Sequence, residues 1–488
     1  MSDQSSRPEA RSPRGFIDRR VRDLVAERQI LTRVSEVYER YGFEALDTGA
    51  LEYADALGKF LPDADRPNEG VFALQDDDEQ WMALRYDLTA PLARFVAQNW
   101  EGLPKPFRRY AFGSVWRNEK PGPGRYREFT QCDADTVGSA RPEADAEIIA
   151  MAAEGLGAAG LPDGGYVIKI NNRKLLDGIL DDAGITNAGQ KLSVLRAIDK
   201  LDRLGWLGVK ELLGEGRLDE SGAFTLGSLL KPAAVDAVMS YVAIPGATDR
   251  TQFLNNLAGV VKGNGGQAGL DELFAIDNAL KALGVSDQKA WFDVSVVRGL
   301  EYYTGTVFEA EMLLQTTDDK GAPVKFGSVG GGGRYDDLVA RFTGERVPAT
   351  GFSFGVSRLA QALRAAGQDQ AARARGPVVV IAFSQDDMAA YFQLVGELRA
   401  AGIAAEVYLG TSGMRPQMKY ADRRLSPAAV ILGGDEIAAG TVTIKDLDLG
   451  RELASGVTDN EAWRAERPGQ QTVPRSELIP ALRRILGA

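Results

Sequence analysis

Residues 107–138, FRRYAFGSVWRNEKPGPGRYREFTQCDADTVG, carry the pattern on which the fold turns. Two alternating runs, YAFGSVWR and EFTQCDADTV, flank a turn containing Pro121, Gly122, Pro123 and Gly124. Period-two alternation around a Pro/Gly turn predicts an antiparallel hairpin with a long loop. Gly113, Val115 and Arg117 then share one face, and Phe129, Gln131, Asp133 and Asp135 alternate along the returning strand. Arg117, Gln131 and Asp135 would form a polar group that is costly to bury unless it binds something. Arg108, Arg109, Arg117, Lys120, Arg125 and Arg127 stand here against only Glu119 and Glu128. Arginine forks match phosphate and carboxylate oxygens, which points to a phosphorylated ligand. A solvated, charged edge hairpin fits the same pattern.

Four other stretches add to it. LRYDLTAPLARF (84–95) places Asp87 and Thr89 between a strand end and a proline-started helix, where either could cap the helix or face a ligand. VRGLEYYTG (297–305) sets one cation and two phenols between glycines. Strand-like WFDVSVV precedes it and TVFEAEM follows, so a hairpin with a tight turn is expected there. GSVGGGGRYDDL (327–338) puts four glycines between a strand and a helix start, for close backbone approach or as a tight structural turn. It spells neither a Walker loop nor a dinucleotide fingerprint. In ATGFSFGVSRLAQAL (349–363) a strand leads through Gly355 into a helix with Arg358 in its first turn. An arginine there opposes the helix dipole, so it either shares an anionic ligand with the helix end or is an ordinary surface charge.

Composition removes several chemistries. The chain has no histidine and one cysteine, Cys132. Ser-His and Cys-His nucleophile pairs, His-based zinc sites and an intrachain disulfide are therefore excluded. A single thiol suits a reducing compartment, and the polar N-terminal residues do not read as a secretory signal. No apolar run approaches the roughly 18 residues that span a bilayer. A cytoplasmic protein without membrane contact is expected. The net charge of −11 argues against a generally basic nucleic-acid binder, though a local basic surface remains compatible with it.

The 488 residues divide by pattern. Residues 1–16 read as a flexible N-terminus. Residues 17–171 open with a helix, RRVRDLVAERQILTRVSEVYERYGF, ending at Gly42, and continue with strands. Residues 172–290 are mostly helical, 291–366 return to strands and a helix, 367–377 form a linker, and 378–488 alternate strand and helix as a small parallel α/β domain.

Taken together, these motifs resemble those of class II aminoacyl-tRNA synthetases. The arginine-bearing hairpin and the Gly355–Arg358 segment look like motifs 2 and 3 of that class. VRGLEYYTG and GGGGRYDDL look like the two signatures of histidyl-tRNA synthetases, and LRYDLTAP, REFTQCDAD, PQMKYADR and VTIKDLDLG add to the likeness over about residues 17 to 455. A chain without histidine cannot carry the HIGH signature of class I. The resemblance implies an α+β catalytic domain with an antiparallel sheet of the class II synthetase type, a mostly helical insertion and a C-terminal α/β domain that binds the anticodon. It implies activation of L-histidine by ATP, with Mg²⁺, followed by transfer to tRNA(His) in a homodimer, with no metal site of the protein's own.

It also implies roles. Arg117 and Arg298 would hold the α-phosphate and the carboxylate. Glu119 would meet the adenine amino group, and Phe129 the adenine ring. Arg125 and Arg358 would hold the outer phosphates. Asp87, Thr89 and Gln131 would receive the α-ammonium, and Asp135, Tyr302, Tyr303 and Tyr335 would surround the imidazole. Two positions depart from the family pattern: Gly49 replaces a proline in the motif that builds the dimer interface, and Ser357 replaces an acid before Arg358. Arg415, Lys419, Arg423 and Arg424 would offer phosphate contacts on the C-terminal domain, or else a solvated helix face. Two rival functions share these features in part. One is a silent paralogue that regulates ATP phosphoribosyltransferase, and the other is a sensor of uncharged tRNA. The missing histidines raise a separate possibility, that the chain can be made while histidyl-tRNA is scarce, with composition drift as the alternative.

Overall fold

A computed structural model of the chain describes residues 8–60, 70–122, 125–219, 222–261, 263–297, 303–317, 323–324, 326–368, 375–454 and 469–487. Contacts divide the chain into two compact units, Met1–Ala371 and Ala372–Ala488. The first begins with α1 (Val21–Arg40), β1 (Glu44–Ala45), β2 (Leu51–Tyr53), β3 (Ala73–Gln75), β4 (Trp81–Leu84) and α2 (Thr89–Asn99). The hairpin β5 (Phe107–Trp116) and β6 (Glu128–Val137), α3 (Pro142–Ala158) and β7 (Tyr166–Asn172) follow. Six helices, α4 (Arg173–Asp182) to α9 (Asn264–Ala282), fill the stretch before β10 (Ala290–Phe292). A small hairpin interrupts them, β8 (Gly216–Leu218) and β9 (Phe224–Leu226), which helical periodicity does not announce. The unit closes with β11 (Thr306–Met312), β12 (Thr316–Thr317), β13 (Pro323–Val324), β14 (Ser328–Arg334), α10 (Ala340–Thr343), β15 (Ala349–Gly355) and α11 (Val356–Ala365).

One eight-stranded sheet, in the order β1-β5-β6-β15-β14-β11-β7-β10, organises this unit. Its six central strands run antiparallel, while β1 and β10 join the two edges in parallel. Helices α1, α3 and α11 pack together on one face, where Ala26, Ile30, Val34, Val37 and Tyr38 form the buried stripe of α1. That stripe follows the helical spacing of the apolar residues, and the chain leaves the helix at Gly42 with φ +79°. Against the opposite face, α2 contributes Leu92, Ala93 and Val96 to a second cluster with Phe107, Val137 and Tyr335.

Two expectations are corrected. The four glycines are no turn: Gly330–Gly333 lie inside β14, between β11 and β15. Phe308 and Phe354 stand opposite Gly332 and Gly330, and Phe352 also faces Gly332. The rings pack over the strand, Phe308 stacked on Phe352 with centroids 6.1 Å apart and Phe354 tilted against Phe352 at 6.3 Å. A Cβ at Gly332 would collide with the Gly351 carbonyl oxygen, so no larger residue fits there without displacing the sheet. Nor do the strands around VRGLEYYTG form a hairpin. β7 lies between them, paired in parallel with β10 and antiparallel with β11. The WFDVSVV run also ends as strand at Phe292; Asp293 instead ion-pairs with Lys169 at 3.1 Å and accepts from Ser295.

In the second unit, β16 (Val378–Ile381) is flanked in parallel by β17 (Ala405–Val407) and β18 (Ala428–Ile431). The domain is not wholly parallel, because β19 (Thr441–Asp446) and β20 (Gln470–Pro474) extend it antiparallel. Helices Met388–Ala400 and Leu478–Leu486 pack buried leucines onto this sheet.

Candidate active site

The hairpin register fixes the floor of the site. Across β5, β6, β15 and β14, Asp135 lies level with Arg109, Gly351 and Gly333. Asp133 lies level with Ala111, Ser353 and Gly331, and Gln131 with Gly113 and Gly355. Three polar side chains from one strand therefore stand in a row among residues that, Arg109 apart, have little or no side chain. Such a sheet face leaves room for a ligand instead of filling itself.

Asp135 is held from two sides. The Arg109 guanidinium, 0% exposed, lies 2.8 Å from Asp135 Oδ2 and donates to the Leu88 carbonyl at 2.8 Å. The Tyr335 hydroxyl donates to Asp135 Oδ1. Burial raises the Asp135 carboxyl above the usual range, and Arg109 opposes that rise. Asp133 is pushed up to about 7, first by burial and then by the neighbouring Asp135, again against Arg109. Arg109 and Asp133 take no role in the sequence expectations. The alternation identifies their face, but it cannot supply the register that sets Arg109 against Asp135.

Asp87 performs the capping: its Oδ1 accepts from the amides of Thr89 at 3.1 Å and Ala90 at 2.9 Å, at the start of α2. Burial raises its carboxyl, with these amides and Arg117 opposing. Capping does not remove it from the site, since Arg117 Nε donates to the carbonyl of adjacent Tyr86 at 3.2 Å. The Arg117 guanidinium also lies over the Phe129 ring, 5.2 Å from its centroid. Glu119 and Arg125 are exposed in the hairpin loop, where the Gly122 and Arg125 backbones pair and the Glu119 carbonyl accepts from Arg127.

From α11, Arg358 donates to the Phe326 carbonyl at 2.5 Å, and the buried Ser357 hydroxyl accepts from the Thr130 amide at 3.1 Å. Ser357 thus ties α11 to β6, a structural use of the position where the family pattern has an acid. Tyr303 packs beside Tyr335 in the cluster above the sheet. Arg298 and Tyr302 lie outside the described residues. Arg334, next to the glycine run, is a structural bolt: it pairs with buried Asp145 at 2.6 Å and donates to the Ser139 and Arg141 carbonyls. On the second unit, Arg415, Lys419 and Arg423 are exposed, while Arg424 pairs with Glu406 at 3.0 Å.

This geometry has known counterparts. The histidyl-tRNA synthetase family model matches residues 15–359, and an anticodon binding domain model matches residues 377–485. A histidine–tRNA ligase from Caulobacter vibrioides is 74% identical over 482 residues, covering 99% of this chain and 97% of that protein. One from Brucella ovis is 55% identical over 494 residues, covering 100% and 98%. The crystal structure of a histidyl-tRNA synthetase from a Nostoc species superposes with a TM-score of 0.72 at 28% identity, covering 98% of this chain and 100% of that one. With a family model over most of its length and relatives this similar along all of it, the chain belongs to the histidyl-tRNA synthetase family.

Proposed function

We propose that the chain's histidine–tRNA ligase activity runs on the polar row of β6 and the arginines around it. A histidine carboxylate oxygen attacks the α-phosphorus of ATP, pyrophosphate leaves, and a terminal ribose hydroxyl of tRNA(His) then takes the histidyl group, releasing AMP. The attacking group is already an anion, so activation needs no base, and a chain without histidine can perform it. What it needs is two anions held in line and charge stabilised at phosphorus. Arg117 and Arg298 would do this. Phe129 and Glu119 would hold the adenine, and Arg125 and Arg358 the outer phosphates. Asp87, Thr89 and Gln131 would receive the ammonium, and Asp135, Tyr302, Tyr303 and Tyr335 the ring.

The observation that carries these roles is Asp135 clamped between Arg109 and the Tyr335 hydroxyl. A neutral imidazole offers one donor and one acceptor. A fixed carboxylate takes the donor, and a tyrosine hydroxyl can serve the acceptor. Analogues that leave such buried partners unpaired are rejected by about 10⁴–10⁵.

ATP would enter with Mg²⁺ as its counter-ion. Mg²⁺ in this role keeps most of its ligands from the phosphates and water. Catalysis is assigned to 17–171 with 291–366, anticodon contacts to 378–488, and the helical 172–290 stands as an insertion. A homodimer is supported by the three-stranded sheet β2-β4-β3, where Leu51, Tyr53 and Leu74 are exposed. No helix among the described residues is long and apolar enough to cross a membrane. ATP–pyrophosphate exchange tests the activity: exchange that depends on histidine is expected, and its absence would leave a regulatory paralogue or a tRNA sensor.

A further inference from the structure

Asp133 is a buried acid to which the ATP and histidine assignments give no task. It stands between Gln131 and Asp135 on the site face of β6 and is 1% exposed. The Ser353 hydroxyl, level with it on β15, is its one neighbouring side-chain donor among the described residues, and neither carboxylate oxygen makes a well-formed hydrogen bond to any described residue. Gln131, 8% exposed, leaves its Oε1 in the same condition. Two adjacent buried acceptors served by at most one hydroxyl are costly to a fold, and neither is needed to hold the sheet together.

Asp133 feels the charges of Arg109, Asp135 and Asp87. Asp135 already has Arg109 and the Tyr335 hydroxyl, and Asp87 already has two helix amides. Arg109 thus acts on three acids, of which Asp87 also has Arg117, and Asp133 is the one left over. The missing partner is a cation with several N–H donors. On an amino acid that bears an imidazole, the permanent cation at neutral pH is the α-ammonium, because a free imidazole is mostly neutral above about pH 6.5. Alternate residues on a strand advance by about 6.6 Å, so a ring beside Asp135 leaves the ammonium over Asp133 and Gln131.

We infer that Asp133 is a specificity residue of the histidine site, whose carboxylate accepts N–H donors from the substrate's α-ammonium together with Gln131 Oε1. This rests on histidine being the substrate, and it adds an acid to the groups assigned to the ammonium.

Asp133→Asn keeps the shape and one acceptor but removes the charge. Binding can be read without catalysis, by NMR of the ligand ring, because the chain has no histidine of its own to obscure the signals. The affinity for histidine should fall about 10- to 100-fold, the usual loss for a charge-assisted hydrogen bond. The affinity for 3-(imidazol-4-yl)propionate, which lacks the amino group, should change less than about threefold. The thermal midpoint should equal or exceed that of the wild type, since an amide is less costly to bury than an unpaired carboxylate. Unchanged histidine affinity overturns the inference, and so does an equal loss for both ligands, which marks a structural role. A wild type that binds histidine without exchanging pyrophosphate would refute the ligase activity while the affinity ratio still decides Asp133. A wild type that does not bind histidine overturns both.

Discussion

Arg109→Met removes the buried guanidinium beneath the site and keeps most of its volume. Arg109 is fully buried, pairs with Asp135 at 2.8 Å and satisfies the Leu88 carbonyl. Without it, Asp135 and Asp133 share a buried floor that has lost the cation acting on both among the described residues. Breaking one side of such a pair costs about 3–5 kcal/mol. The loss has a definite pH dependence. Burial holds both carboxyls above their unfolded value, and Arg109 opposes this in each. In the variant both rise further, so the folded state keeps protons over a wider range while the unfolded chain has released them above about pH 4. Stability falls with rising pH wherever the folded state binds more protons. The deficit should therefore be smallest near pH 5, grow as the pH passes through about 7, and level off once the variant's carboxyls ionise. Urea midpoints of the full chain at pH 5.5 and 8.5, at unchanged slope, measure it. A loss below about 1 kcal/mol, or one equal at both pH values, would refute the claim that Arg109 neutralises this floor.

Gly332→Ala should destabilise the first unit by about 1–3 kcal/mol or more, read as a drop in thermal midpoint, because the new methyl would lie 2.5 Å from the Phe308 ring and on the Gly351 carbonyl. Tyr53, 56% exposed, lies level with Met82 and Leu74 on the outer face of its sheet. Tyr53→Glu with Leu74→Glu should convert a dimer to monomer in sedimentation, and an unchanged mass would place the interface elsewhere. During histidine limitation, ribosome profiling should show synthesis of this histidine-free chain falling less than that of histidine-containing proteins. An equal fall would leave composition drift as the explanation.

Much of the site was legible because alternation is local. Period two alone put Phe129, Gln131, Asp133 and Asp135 on one face, and the hairpin register keeps them there. Asp87 was likewise readable as a cap from its place before a proline-started helix. The glycine run was not. Gly330 and Gly332 answer to three phenylalanines from β11 and β15, and Gly333 to Tyr303, all brought in by other strands and loops, whereas a glycine run read alone suggests a turn. The strands on either side of VRGLEYYTG were visible, but β7, from more than a hundred residues earlier, separates them. Arg109 was hidden for a related reason, since a long Pro/Gly loop leaves the register open and only the register opposes Arg109 to Asp135.

The central claim is that arginines around the β6 row, and no side-chain base, drive histidine activation. Single-turnover formation of histidyl-adenylate at saturating ATP and histidine tests it most directly, with Arg117→Ala and Arg298→Ala beside the wild type. Removing one preorganised donor costs about 3–4 kcal/mol, so each variant should slow by about 10²–10³ while still binding histidine. Near-normal adenylate formation in either variant would contradict the account.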